Sequence, residues 1–226
     1  MTIRRLPDTL VNQIAAGEVV ERPAAAVKEL VENAIDAGAR RIEVRLRDGG
    51  QSLIAVEDDG CGMGPAEIAL AVERHATSKL PEDRLDRIGT LGFRGEALPS
   101  IGSVSRMTIA SRPQGAESGW ALTVAGGDKR DIGPVARGQG TRVEVRELFY
   151  ATPARLKFMK SKRTETQQVR DTVERLALAN PHLAFLLADE DRTLFSLAAE
   201  TGDGARLARL SSVLGAEVAD NVQPVM

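Results

Sequence analysis

Between Pro23 and Gly38 the sequence lays out one amphipathic helix, and immediately beyond it the hydrophobic period changes from that of a helix to that of a strand. Pro23 presets φ for a first helical turn, and Gly38 can take the positive φ that ends the last one. At 100° per residue, Val27, Leu30, Val31, Ala34 and Ile35 fill a single apolar arc. Ile42, Val44 and Leu46 then alternate, Asp48-Gly49-Gly50 turns the chain, and Leu53 to Val56 returns as a strand. A one-sided helix followed at once by a one-sided hairpin must bury both apolar faces against each other. Later segments repeat the theme. Strands are expected at Val104–Ser111, Trp120–Ala125 and Thr141–Arg146, a helix at 164–179, and a hairpin at 183–188 and 193–197. The expectation is an α+β sandwich, with helices packed on one face of a mixed, mostly antiparallel sheet.

The remaining segments are shorter. A helix is expected from Asp8, with Leu10, Val11, Ile14 and Ala15 on one face and Gly17 as its stop. Another runs from Pro65 to about Arg74, and residues 75–95 read as a long loop carrying Pro81, Gly89, Gly92 and Gly95. Residues 1–200 read as one unit. Residues 201–226, with a helix at Ala205–Leu214 and a strand-like end, read as the start of a second.

Composition excludes several classes. The chain has 226 residues, with 5 Phe, 1 Tyr and 1 Trp, so its core is aliphatic and an aromatic platform for single-stranded nucleic acid is not expected. One cysteine rules out an internal disulfide and multi-cysteine zinc sites, and suits a reducing compartment. The first 30 residues lack the apolar core of a signal peptide, and no apolar run approaches the ~20 residues of a membrane span. A cytoplasmic protein without membrane association is expected. The net charge is −2, so no global field draws the chain onto nucleic acid. A local patch could: Arg155, Lys157, Lys160, Lys162 and Arg163 lie close together with no acid between them. This stretch reads equally as a solvated loop–helix junction or as a sequence-independent phosphate track for DNA.

Three polar elements carry possible chemistry. On the first amphipathic helix, Glu29, Asn33 and Asp36 fall on the side opposite the apolar arc. They form either a solvated face or a carboxylate base one turn from an amide oxygen able to ligate Mg²⁺. Asp58-Asp59-Gly60-Cys61-Gly62-Met63, at the end of a strand, is either a simple turn or a ligand pocket where a carboxylate accepts a bond from an amine such as that of adenine. Thr77, Ser78 and Lys79, followed by Gly92-Phe93-Arg94-Gly95 at the start of a helix, offer hydroxyl, ammonium and backbone N–H donors to an anion. No Walker-type G-x-x-x-x-G-K-[ST] occurs. Cys61 reads as a small hydrophobe rather than a nucleophile, and His75 and His182 have no second His or Cys at ligand spacing.

Taken in order, Glu29 to Gly38, Asp58 to Met63, Gly92 to Leu98 and Gly140-Thr141 resemble the four nucleotide-binding motifs of the GHKL ATPase superfamily. Asn12 to Val20 and Phe149 to Arg155 are similar to stretches of its mismatch-repair branch, the MutL family, that gyrase B subunits, histidine kinases and heat-shock chaperones lack. Ala151, where that family usually has Asn, and Pro99, where Ala is commoner, depart from the pattern without touching a matched chemical group. The resemblance implies a Bergerat-type sandwich that binds and slowly hydrolyses Mg-ATP. Glu29 would activate the attacking water, Asn33 would hold Mg²⁺, and Asp58 would bond the adenine amine. Gly62 and Thr141 would shape the adenine side, with Thr77, Ser78 and Lys79 in a lid and Gly92, Phe93, Arg94 and Gly95 around the phosphates. It also implies an ATP-dependent homodimer that signals between mismatch recognition and downstream repair proteins on DNA. A lysine from the following domain would complete the site, so hydrolysis by residues 1–226 alone is expected to be weak. Two other classes are weaker. A histidine-kinase phosphotransferase would need an acceptor His upstream of the pocket, and none precedes His75. A DNA-binding scaffold with a vestigial pocket sits poorly with the negative charge and the intact motifs.

Overall fold

In the computed structural model, residues 5–77, 79, 92, 95–218 and 221 are described. The helices are α1 (Asp8–Val19), α2 (Pro23–Asp36), α3 (Pro65–Ala71), α4 (Ala97–Val104), α5 (Pro153–Leu156), α6 (Lys162–Ala179) and α7 (Ala205–Leu214). The strands are β1 (Arg41–Arg47), β2 (Leu53–Asp58), β3 (Arg106–Arg112), β4 (Gly119–Ala125), β5 (Asp128–Lys129), β6 (Gly133–Val135), β7 (Gly140–Arg146), β8 (Ala184–Asp189) and β9 (Arg192–Leu197). Among the described residues they form one nine-stranded sheet in the order β5-β4-β3-β7-β2-β1-β8-β9, with β6 also paired to β4. Every pairing among them is antiparallel except β1 with β8, which is parallel. The expected mixed, mostly antiparallel sheet is therefore present.

Alternation decides which face is covered. Ile42, Val44 and Leu46 on β1, Met107 and Ile109 on β3, and Val143 and Val145 on β7 are buried, and join Val27, Leu30 and Val31 of α2 in one core. Full burial of each such side chain contributes roughly 1.5–3 kcal/mol, so α2 is held by its apolar arc rather than by helix propensity. The opposite sheet face is polar and laced with ion pairs. Glu57 of β2 meets Arg142 at 2.9 Å, and Glu144 of β7 meets Arg142 at 2.6 Å and Arg146 at 2.8 Å.

Local expectations change at Gly17 and at the start of β3. Gly17 does not stop α1, which continues to Val19. The segment Ala97–Val104 is helical, so β3 begins two residues later than the alternation suggests. Pro99 is tolerated in α4 because it lies in the first turn, where backbone N–H groups have no intrahelical acceptor. After α7 a 3₁₀ turn spans Ala216–Val218, and the strand-like end expected beyond it lies largely outside the described residues. The helix α7 itself has the bounds read from the sequence, and Arg209 fastens it to the preceding residues. That guanidinium is fully buried and donates to the carbonyls of Ala177, Pro181, Leu183 and Ala198, the last at 2.6 Å.

Candidate nucleotide site

The polar side of α2, the ends of β2 and β7, the loop after β2 and the N-terminus of α4 enclose a cavity of about 940 Å³. That is the size of a site for a ligand as large as a nucleotide. Glu29, Asn33 and Asp36 line it from α2, so the polar arc faces a cavity rather than open solvent. Glu29 is part-exposed and has Lys28 Nζ 3.5 Å from its Oε1.

Asp58 and Asp59, adjacent in sequence, have separate tasks. Asp59 Oδ1 accepts the N–H groups of Arg40 and Arg41 at 2.7 and 2.9 Å, which ties the end of β2 to the start of β1. Asp58 is 9% exposed and lines the cavity. Its Oδ1 accepts Gly60 N–H at 2.9 Å and Thr141 N–H at 3.3 Å. Burial pushes its carboxyl up from 3.8 to about 6, against the opposing pull of those two N–H groups and of the Arg137 charge. Thr141 lies opposite Asp58 in the β2–β7 register, and both line the cavity.

Gly62 is required by space as well as by backbone. Its φ is +70°, and a Cβ there would come within 2.1 Å of the Arg112 carbonyl oxygen. No larger residue lets the 60–63 loop lie this close to the end of β3.

At the other end of the cavity, Lys79 Nζ donates to Asn33 Oδ1 at 2.8 Å and forms an ion pair with Asp36. Asp36 also accepts Gly92 N–H at 3.4 Å. Thr77, Gly92 and Gly95 line the same space. Of the residues singled out from the sequence, Ser78, Phe93 and Arg94 lie outside the described residues. Asp36 as the partner of Lys79 could have been found from its place one turn beyond Asn33, since i, i+3 residues share a face. A lysine already resting on the Asn33 oxygen marks the amide as a cation-accepting position, and hard oxygen donors fit Mg²⁺. Among the described residues no group of three or more His, Cys, Asp and Glu could hold a metal ion, so Mg²⁺ here needs further oxygens from a ligand and water.

The basic stretch is not uniform. Arg155 is half-buried: it donates to the Val20 carbonyl at 3.1 Å, lies 5.7 Å from the Phe149 ring, and takes the room that a side chain at Gly17 would need. Lys162 pairs with Asp48. Lys157, Lys160 and Arg163 are exposed. Among the described residues, no helix is long and apolar enough to cross a membrane.

Comparison with known proteins matches residues 21–139 to the family described as histidine kinase-, DNA gyrase B-, and HSP90-like ATPase. The chain is 65% identical over 98% of its length to the DNA mismatch repair protein MutL of Paramagnetospirillum magneticum, and 62% identical over 98% to that of Rhodospirillum rubrum. It spans 37% and 36% of those two proteins. The Aquifex aeolicus MutL ATPase domain complexed with ADP matches 87% of this chain and 70% of its own, at 33% identity and a TM-score of 0.73. The chain belongs to the histidine kinase-, DNA gyrase B- and HSP90-like ATPases, and within them to the ATPase domains of the MutL family.

Proposed function

We propose that this chain binds Mg-ATP in the cavity between α2 and the ends of β2 and β7, and hydrolyses it slowly as a conformational switch in DNA mismatch repair. The observation that carries the reading is the joint placement of Glu29, Asn33, Asp58 and Thr141 around one cavity of nucleotide size. Asp58 accepts the adenine amine, with Thr141 and the Gly62 turn bounding the base. Asn33 supplies the one protein oxygen to Mg²⁺, which, when bound, neutralises phosphate charge. Thr77 and Lys79 with Gly92 and Gly95, joined by Ser78, Phe93 and Arg94, hold the phosphates. Glu29 takes the proton of the water that attacks the γ-phosphoryl group, and its oxygen must lie within hydrogen-bond reach of that water.

The exposed apolar face of α1 supports the switch. Leu10, Val11 and Ile14 point outward, while Glu18 and Val19 of the same helix line the cavity. Nucleotide at that end and a second subunit at the apolar face would thus be read by one helix, giving an ATP-dependent homodimer. Lys157, Lys160 and Arg163, with Lys162 and Arg155 beside them, form the proposed sequence-independent track for DNA, in which the first three carry most of the contact because Lys162 is paired with Asp48 and Arg155 is turned inward. Residues 1–200 are the nucleotide-binding unit, and 201–226 lead toward a further domain that contributes a catalytic lysine. Mismatch-recognition and downstream repair proteins are the partners, and the cytoplasm is the site of action. The test is titration with a non-hydrolysable ATP analogue and Mg²⁺, then single-turnover hydrolysis. Saturable binding that is weakened in Asp58→Asn, with slow hydrolysis cut sharply in Glu29→Ala, is expected. Absence of any adenine-nucleotide binding would sink the reading.

A further inference from the structure

Asp36 belongs to the polar arc of α2, yet the nucleotide reading gives it no task. It closes α2 one turn after Asn33, has 9% of its side chain exposed, and lines the phosphate end of the cavity. Its carboxylate forms an ion pair with Lys79 and accepts Gly92 N–H at 3.4 Å. The same Lys79 ammonium donates to Asn33 Oδ1 at 2.8 Å, and only 19% of the lysine side chain is exposed. Three groups that the nucleotide reading needs are thus already engaged. The ammonium and the Gly92 N–H are assigned to phosphate, and the amide oxygen to Mg²⁺.

A carboxylate and a phosphate make the same demand, since both are anionic oxygen acceptors that draw charge-assisted bonds from ammonium and N–H donors. An ammonium resting on an amide oxygen likewise takes the place of a hard cation. An ammonium has three protons, so donor count alone would let Lys79 keep both of its α2 partners. Charge does not. A divalent cation on Asn33 would share that oxygen with the ammonium, and the phosphates around it would face the Asp36 carboxylate, like against like at short range. Passing Lys79 from α2 to the phosphates relieves the first opposition, and the divalent charge one helical turn from Asp36 relieves the second. We propose that Asp36 is a positioning residue that stands in for phosphate in the nucleotide-free protein, holding Lys79 and Gly92 N–H ready and yielding them to the bound phosphates. The inference rests on the nucleotide reading above and adds to it the internal anion that the nucleotide must displace. It follows that Asp36 opposes nucleotide binding most strongly when no divalent cation takes the place of Lys79 beside it.

The experiment is calorimetric titration of the 226-residue chain with ADP, once with Mg²⁺ and once with EDTA, for the parent, Asp36→Asn and Asp36→Ala, each checked by thermal melting. In EDTA both variants should bind ADP about tenfold more tightly than the parent, near the lower end of the worth of one charge-assisted hydrogen bond. With Mg²⁺ they should stay within about threefold of the parent, so the affinity gained from Mg²⁺ should be smaller in the variants than in the parent. Weaker ADP binding by the variants in EDTA would mean that the carboxylate aims Lys79 at the phosphates in the bound state too, and would overturn the proposal. Unchanged affinity in EDTA, or an equal Mg²⁺ effect in parent and variants, would overturn it as well. Should Asp36→Asn not fold, Asp36→Ala carries the same comparison. A parent protein that binds ADP under neither condition would bring down the nucleotide reading itself, a result distinct from these.

Discussion

Lowering the pH through 6 should weaken nucleotide binding and, over an overlapping range, stabilise the nucleotide-free protein. Both effects come from Asp58, whose burial raises its carboxyl from 3.8 to about 6. The sign for stability follows from proton counting. Between those two values the folded state holds more protons than the unfolded one, so stability falls as pH rises. Above 6 the cost of the buried charge is fully present, at about 3 kcal/mol for a shift of that size. Asp58→Asn removes the charge, so it should stabilise the apo protein at pH 8 by up to ~3 kcal/mol, and the gain should shrink toward pH 4. Binding has the opposite sign, because the ionised carboxylate is the better acceptor for an amine. At pH 7.5 Asp58→Asn should weaken ADP roughly ten- to a hundredfold, the worth of one charge-assisted hydrogen bond. At pH 5 only about a tenth of the parent carboxyl remains ionised, so the two proteins should converge by about tenfold. The terminal phosphate of ADP titrates in the same range but does so equally for both proteins, so their ratio isolates Asp58. The assay is ADP titration from pH 5 to 8, with urea unfolding of the apo proteins at each pH. Parallel affinity profiles, with a parent-to-variant ratio independent of pH, would show that the Asp58 charge does not read the base.

Other outcomes follow from individual residues. Glu29→Ala should cut single-turnover hydrolysis by about 10²–10⁴ while ADP affinity stays within about threefold, and hydrolysis at the parent rate would remove Glu29 from the role of base. Gly62→Ala forces a Cβ to within 2.1 Å of a backbone oxygen at positive φ, so it should cost more than about 2 kcal/mol in urea unfolding and also weaken ADP. Arg155→Ala removes the bond to Val20 and the packing at Gly17, and should cost about 1–3 kcal/mol of stability, whereas a purely solvated arginine would cost almost nothing. Lys157→Glu with Lys160→Glu should weaken DNA binding alike for all sequences and flatten its salt dependence, with ADP binding intact; unchanged DNA affinity at low salt would return these lysines to ordinary solvated surface.

What is legible in the sequence is whatever is local and periodic. The buried face of α2 and the alternation of β1 depend on neighbours a few residues away, and both are present where the periods place them. The polar arc of α2 is visible too, but its facing a cavity is set by β2 and β7, which no local period encodes. Contacts between distant segments are not legible. In sequence Arg155 is one cation in a run, and only the close approach of Gly17, over a hundred residues earlier, turns it inward. Gly17 itself has the look of a helix stop, yet its lack of a side chain serves that guanidinium rather than the end of α1.

The position of β2 and β7 inside the sheet has a consequence for how the cavity responds to fluctuation. Each has a hydrogen-bonded strand on both sides, so the backbone around Asp58 and Thr141 can open only when neighbouring ladders open as well. The Thr141 amide is held further by the Asp58 side chain. Its hydrogen should therefore exchange with solvent only through near-global unfolding, at a free energy close to that of the whole unit. Thr77, Lys79 and Gly92, which lie outside any helix or strand, have no such ladder to protect them. The base end of the cavity is thus built before a ligand arrives, and the phosphate end is where binding can still change the protein.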